Sequence, residues 1–255
     1  MTDEVKVTWV FLRGLTRESA HWGSFPDAFQ RALPDAHVVV LDLPGNGILH
    51  QQRSPLSITH LVDFCRAELS RQGYAPPYHV LAMSMGAMVT AHWAHMAPQE
   101  LTAAVLINTS FRPFNPVYQR LRPRNYNRLL GLLLLGPSDA AFERAVLRMT
   151  SNQPDQHLDE LANWIAIRQR HPVGAGNAMR QLIAAARFRA SPQAPQCPVL
   201  LLGSERDRLV NVECTRAIAQ HWGIHMAVHS DAGHDLPLDA PLWVIEQVQQ
   251  WSCRF

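Results

Sequence analysis

Leu81-Ala82-Met83-Ser84-Met85-Gly86 is the stretch on which the reading of the chain turns. Tyr78-His79-Val80 leads into it with strand formers, and Ala87-Met88-Val89-Thr90-Ala91-His92-Trp93-Ala94 leads out with helix-compatible residues. The pattern is a buried strand, one exposed serine and the first turn of a helix, which is the setting of a nucleophile elbow. A serine there sits on a strained turn with its hydroxyl directed out of the sheet, open to a base on one side and a substrate on the other. Because the turn is tight, its flanking positions must be small. The common GxSxG form has glycine at both; here they are Ala82 and Gly86. Alone, a serine between small residues also fits an ordinary strand-to-helix turn, so the rest of the chain must decide.

Outward from the elbow, strands and helices alternate. Val5 to Leu12 is β-rich and ends at the turn Arg13-Gly14-Leu15, followed by a polar loop and His21-Trp22. A helix is expected over Ser24 to Leu33, with Pro26 tolerated in its first turn. His37 to Asp42 is a short apolar run suited to a strand buried on both faces, and it closes on the breakers Leu43-Pro44-Gly45-Asn46-Gly47. Ser57 suits the N-cap of a helix whose apolar residues recur at Ile58, Leu61, Val62, Cys65 and Leu69. Leu101 to Asn108 is another buried strand. From Arg112 to about Ala190 no convincing strand occurs, only helical patches such as Ala140 to Met149 and Gln156 to Arg168. Alternation then resumes with strand Pro198 to Gly203, helix Val212 to Trp222, strand His225 to His229 and helix Pro241 to Trp251. This rhythm predicts an α/β fold, a mostly parallel central sheet with helices on both faces. The expected organisation is one core of residues 1–111 and 191–255, with 112–190 as a helical cap over the sheet's C-terminal edge, where ligand sites of parallel sheets lie.

The totals limit the alternatives. At 255 residues, with 47% apolar and 17% charged, the chain can bury one sizeable core and carries no disorder signature. Met1-Thr2-Asp3-Glu4-Val5-Lys6 lacks a basic region followed by an apolar one, so a cytoplasmic protein is expected. The leucine cluster 129–135 is far shorter than the roughly 20 residues that span a bilayer. Cys65, Cys197, Cys214 and Cys253 are scattered without a CxxC pair, which suggests reduced thiols. No metal-ligand cluster, Walker loop or GxGxxG is present, so neither metal nor cofactor is expected.

A serine hydroxyl is a poor nucleophile at neutral pH and needs a base oriented by an acid. His234, in Asp231-Ala232-Gly233-His234-Asp235, follows the last strand and would overhang the sheet's C-terminal edge. Asp207 follows the strand before it, in Gly203-Ser204-Glu205-Arg206-Asp207, with Glu205 as the reserve acid. Most of the 13 histidines have no such placement. His79 lies in a strand, His92 and His95 lie on the helix after the serine and His229 falls in the last strand. His21 is a candidate pocket residue on the first loop. Asp235 adjoins His234 and is badly placed to orient its ring. The catalytic candidates are therefore Ser84, Asp207 and His234, in the order Ser, acid, His.

That order, the first-strand turn, Asp42-Leu43-Pro44-Gly45-Asn46-Gly47, the elbow, the helical insertion and Gly233-His234 together resemble the α/β-hydrolase fold enzymes along essentially the whole chain. The resemblance implies an oxyanion hole from the backbone N–H groups of Met85 and Leu15. It also marks a departure, because Arg13-Gly14 stands where family members commonly carry His-Gly. Arg13 has two readings, a buried ion pair under the turn or a direct contact with an anionic substrate.

Between Arg112 and Arg189 twelve arginines face five acids, a balance of +7 in a chain whose total is +2. Charge is thus segregated onto the insertion, either as a solvated face with local pairs or as a surface for something acidic. No nucleic-acid motif accompanies the arginines. Within the fold the chain is similar to pimeloyl-acyl-carrier-protein methyl ester esterases, which implies a carrier-linked or other anionic acyl ester as substrate and acyl carrier protein as partner. The GWSxGG elbow of those enzymes is not reproduced. Candidate substrate contacts are Trp22, Arg120, Arg124, Arg128, Phe142 and Trp164. The leucine cluster would suit an acyl channel or, with better reason residue by residue, the insertion's own core. The expected activity is carboxylic ester hydrolysis by an acyl-enzyme route. Alternatives on the same fold are a thioesterase, a carbon–carbon bond hydrolase, a lyase, a perhydrolase and a non-catalytic ligand receptor.

Overall fold

The computed structural model describes residues 6–253. The acid-bearing start of the chain, residues 1–5, lies outside the described residues. Core elements before the insertion are β1 (Val7–Leu12), α1 (Phe25–Ala32), β2 (Ala36–Leu41), α2 (Ile58–Arg71), β3 (Tyr78–Met83), α3 (Met85–Met96) and β4 (Leu101–Ile107). Five helices follow: α4 (Val117–Arg120), α5 (Tyr126–Leu134), α6 (Asp139–Thr150), α7 (Leu158–Arg170) and α8 (Ala175–Arg187). The core then resumes with β5 (Val199–Ser204), α9 (Glu213–Trp222), β6 (Met226–His229), α10 (Leu236–Asp239) and α11 (Pro241–Ser252).

The six strands form one sheet in the order β2-β1-β3-β4-β5-β6, every neighbouring pair parallel. Side chains alternate across it. Val10, Leu12, Val80, Ala82, Leu106 and Leu201 pack on one face with residues of α2, α3 and α9. Trp9, Phe11, Leu81, Met83, Val105 and Leu202 pack on the other with α1 and α11. Burial on both faces explains why the strands read as continuous apolar runs. The Ser57 hydroxyl accepts from the Thr59 amide and caps α2, as its position suggested.

At the elbow the chain turns from β3 into α3 through Ser84, whose φ of 53° and ψ of −117° are strained for a residue with a side chain. The Ser84 amide donates to the Ile107 carbonyl at the end of β4, 2.9 Å. The helix begins pressed against β1: a Cβ on Gly86 would lie 2.6 Å from the Leu12 oxygen and 2.7 Å from that of Arg13. Glycine is required there by close approach of backbones. Ala82, the departure from GxSxG, is fully buried within the core without such a conflict.

The insertion is pinched at its neck, where Arg112 and Arg189 form a parallel bridge and the Ala190 amide donates to the Arg112 carbonyl, 2.7 Å. Leu147, Leu161, Trp164 and Ile167 form a small apolar cluster inside it. The leucine run does not, contrary to the reading favoured from sequence: α5 contributes no buried residue. Leucines on all sides of one short helix cannot all face inward. Leu130, Leu134 and Leu135 are exposed, while Leu129, Leu132 and Leu133 face a cavity described below.

Adding one methyl group at the elbow tests this packing. Gly86→Ala is expected to lower unfolding free energy by about 1–3 kcal/mol in urea titration, the range for overpacking a rigid site. Gly176→Ala on α8, where nothing lies within 4 Å of the added carbon, should instead gain up to about 1 kcal/mol.

Candidate active site

Asp207 lies in the turn that leaves β5, its amide bonded to the Ser204 carbonyl at 3.2 Å. One carboxylate oxygen, Oδ1, accepts from the amides of Leu209 and Val210 at 2.7 and 2.9 Å, which fixes the group's orientation. The other, Oδ2, lies 2.7 Å from Nδ1 of His234, with both side chains buried. His234 follows β6, and its loop is held from two directions. The Asp235 amide donates to the Thr150 carbonyl at 2.8 Å, and the Asn108 side chain donates to the His234 carbonyl at 2.8 Å.

Burial by itself would push the His234 ring toward its neutral form. The Asp207 charge and hydrogen bond outweigh it, helped by Asp235 and opposed by Arg13, and hold the ring's pKa above the ordinary histidine value. With Nδ1 committed to Asp207, Nε2 is the nitrogen left to exchange a proton.

Ser84 and His234 line the same cavity, of about 260 Å³, at the C-terminal edge of the sheet. Its remaining walls are largely apolar, from Met88 on α3, Leu121, Leu129, Leu132 and Leu133 on and near α5, and Val146 on α6. Leu15 and Met85 line it beside Ser84. Met85 opens α3, so its amide has no partner within the helix. In the turn after β1, the Thr16 amide is taken by the Gln181 side chain at 2.8 Å and the Arg17 amide by the Gly14 carbonyl at 3.3 Å. Leu15 and Met85 therefore stand at the cavity beside Ser84, while the two amides that follow Leu15 are engaged elsewhere.

Arg13 takes the first of its two readings. Its guanidinium meets Asp235 in a bidentate pair, 3.1 and 2.5 Å, with both side chains almost fully buried and the cation 4.7 Å above the Trp22 ring. Asp235 is therefore the counter-ion of the first-strand turn and leaves the orientation of His234 to Asp207. Glu205, the reserve acid, is exposed and paired with Arg216.

The other candidates separate. Trp22 is not a cavity residue: it is stacked on Phe25 and packed on Phe11 in the core beneath the turn. Trp164 is also withdrawn, buried in the insertion with the Arg17 guanidinium over its ring at 4.3 Å. Trp22 fills the core below the first loop, and Trp164 fills the apolar cluster within the insertion. Phe142 does line the cavity and carries the Arg168 guanidinium 3.6 Å from its ring centre. Of the three candidate arginines Arg120, Arg124 and Arg128, Arg120 lines the cavity, and it donates to the Ala185 and Ala186 carbonyls at 2.7 and 3.4 Å. Arg124 donates to the Arg208 carbonyl, and Arg128 is exposed. His21 is buried beside Trp164, held well below the ordinary histidine pKa by burial and then by the Arg17 and Arg13 charges. His79, His92 and His229 are engaged elsewhere, on Trp9, Thr59 and the amides of residues 231 and 232.

Two contributors escape the sequence reading. Asn108, at φ 43° after β4, accepts from the Ser204 amide at 2.9 Å and donates to the His234 carbonyl, tying the acid's loop to the histidine's. Its only signal is an amide at the end of a buried strand. Arg17 lines the cavity and pairs with buried Glu143 of α6 at 2.6 Å, fastening the insertion to the first loop. Nothing in the local sequence couples two residues so far apart.

A family model described as the alpha/beta hydrolase family matches residues 9–247. Pimeloyl-[acyl-carrier protein] methyl ester esterase of Xanthomonas campestris is 25% identical over 253 residues, covering 92% of this chain and 90% of that protein. The enzyme of the same name from Xanthomonas oryzae is 25% identical over 229 residues, covering 83% and 80%. Among solved structures, esterase RhEst1 from Rhodococcus superposes with a TM-score of 0.78 at 15% identity, covering 99% of this chain and 92% of that one. A putative non-heme bromoperoxidase, BpoC, from Mycobacterium tuberculosis gives 0.77 at 19%, covering 97% and 92%. At these identities the structural likeness is one of fold.

The Arg13–Asp235 pair makes a stability prediction. Arg13→Leu strands a buried carboxylate and should cost about 3–5 kcal/mol in denaturant unfolding. Replacing both partners, Arg13→Leu with Asp235→Leu, should recover most of that loss.

Proposed function

The chain belongs to the alpha/beta hydrolase family, and on that premise we propose that it hydrolyses carboxylic esters through an acyl-enzyme formed on Ser84. The carrying observation is the buried 2.7 Å contact between His234 and Asp207, on a histidine that shares one cavity with the strained serine. In this reading Nε2 of His234 takes the Ser84 proton as Oγ attacks the ester carbonyl. Asp207 stabilises the imidazolium, and the amides of Met85 and Leu15 receive the developing oxyanion. Collapse breaks the ester C–O bond, and His234 gives the proton to the departing alcohol. A water deprotonated by the same ring then attacks the acyl group, releasing the acid and restoring Ser84.

The apolar walls of the cavity support an acyl chain of moderate length as the group held during this chemistry. We read the block 112–190 as the cap that supplies most of that wall. Its charge supports a finer proposal, an ester carried on an acidic partner such as acyl carrier protein. Eight of its twelve arginines are exposed, Arg124 and Arg128 among them. The Xanthomonas relatives bear the name of an esterase acting on such a carrier-linked ester. Thioesters are open to the same nucleophile. No helix among the described residues is long and apolar enough to cross a membrane.

Ser84→Ala should lower turnover of p-nitrophenyl esters by at least about 10³-fold; equal rates would remove Ser84 as nucleophile. Because His234 must be neutral to act as base, its raised pKa puts the acid limb of the kcat/KM profile above about pH 6.5. In Asp207→Asn burial dominates, so that limb should move to lower pH while kcat falls by about 10²–10⁴-fold. Reversing Arg124 and Arg128 to glutamate should slow hydrolysis of a carrier-linked ester about tenfold, as should salt, while sparing the free ester. Equal effects on both substrates would remove the carrier.

A further inference from the structure

Behind the turn that carries Asp207 lies a second cleft, of about 350 Å³, whose chemistry is the reverse of the first. It is lined by Arg122, Arg124, Arg206 and Arg208, together with Asn152, Glu205 and Asp207. The two clefts share a partition. Leu121 and Leu209 line the apolar cavity, their neighbours Arg122 and Arg208 line this one, and the Arg122 amide donates to the Leu209 carbonyl at 2.9 Å across it. Leu121 and Arg122 are neighbours in extended backbone, where successive side chains face opposite ways, and Arg208 and Leu209 are divided between the two clefts by the turn that follows Asp207.

The positive charge in the cleft is poorly compensated. Its two carboxylates, Glu205 and Asp207, are committed elsewhere, Glu205 to Arg216 at 2.5 Å and Asp207 to His234 and two amides. Arg206 has only a long, well-exposed contact with Asp231, 3.3 Å. Arg124 spends Nε and Nη2 on the Arg208 carbonyl. Nε of Arg122 is buried without a partner, a costly state for a guanidinium. The crowding is felt: burial and then the charges of Arg122 and Arg208, with Arg128, depress the pKa of Arg124 against the opposing charge of Asp207. Four mutually repelling guanidinium groups around one polar cleft are stabilised by a compact anion of charge two, and their planar forks match the oxygens of a phosphate group.

We propose that the cleft formed by Arg122, Arg124, Arg206 and Arg208 is a binding site for a phosphate dianion, free or as the terminal group of a phosphate monoester. The site is separate from the acyl cavity, and the inference does not rest on the ester-hydrolase reading.

The test is isothermal titration of the intact protein with inorganic phosphate and with glycerol phosphate, against sodium chloride at matched ionic strength. Saturable one-to-one binding of phosphate and not chloride is expected, weakened about tenfold or more by Arg122→Gln with Arg208→Gln. Arg122→Lys with Arg208→Lys keeps the charge and should retain part of the affinity, which separates a lost site from a damaged fold. Tighter binding of glycerol phosphate supports a monoester occupant, and equal or tighter binding of inorganic phosphate supports the free anion. Absence of saturable binding by both, or glutamine variants that bind phosphate as the wild type does, would overturn the proposal.

Discussion

The backbone of Gly86 rests on the carbonyls of Leu12 and Arg13, closer than any side chain would allow. This contact fixes where α3 begins relative to the end of β1, and much of the site is positioned by it. It places the amide of Met85 beside the turn that presents Leu15. It also sets Ser84, whose own amide is anchored to the end of β4, at the point where the sheet order reverses around β1. Crossovers leave to opposite faces there, opening a crevice at the strands' C-terminal edge.

Parallel strands bring their following loops to one edge, but they do not align them; buried polar bonds do. The Arg13–Asp235 pair ties the loop after β1 to the loop after β6. Asn108 joins the loops after β5 and β6 from the end of β4. Asp42, in the turn after β2, accepts from the Ser19 and Ile48 amides at 2.6 and 3.1 Å, and a Cβ on Gly47 would collide with its carboxylate. The insertion is fastened by the same kind of contact, through Arg17 to Glu143 and through Gln181 to Thr16, Asn46 and Ser54. Leaving any of these groups unpaired is expensive in a dry interior, so each bond specifies a geometry more than it adds net stability. The basic excess of 112–190 divides accordingly. Arg168 and Arg180 serve structure through Asp139 and the Ser54 carbonyl, whereas Arg122 is left facing the polar cleft.

The fold was legible because its signals are local. Apolar runs between glycine and proline turns mark strands buried on both faces, and Ser57 before a helical stripe marks a cap. The elbow was legible for the same reason, since Ser84 and Gly86 meet their constraint within three residues. Chain order beside motifs pointed to Asp207 and His234, whose side chains the structure brings into contact. Placement of the large side chains was not legible: Trp22 and Trp164 look like pocket residues in sequence but fill interiors closed by distant elements. The leucines of α5 spread over more than one face of the helix, so sequence could not tell which of them meet the cavity. Arg13 was undecided until the structure supplied Asp235, 222 positions away.

On the proposed reading, Ser84 becomes a covalent nucleophile through the His234–Asp207 pair. Treatment with a fluorophosphonate followed by peptide mass spectrometry tests it most directly. A single adduct on Ser84 is expected, absent in Ser84→Ala and formed far more slowly in His234→Ala. An unmodified Ser84 in the folded protein, or labelling at an unchanged rate without His234, would contradict it.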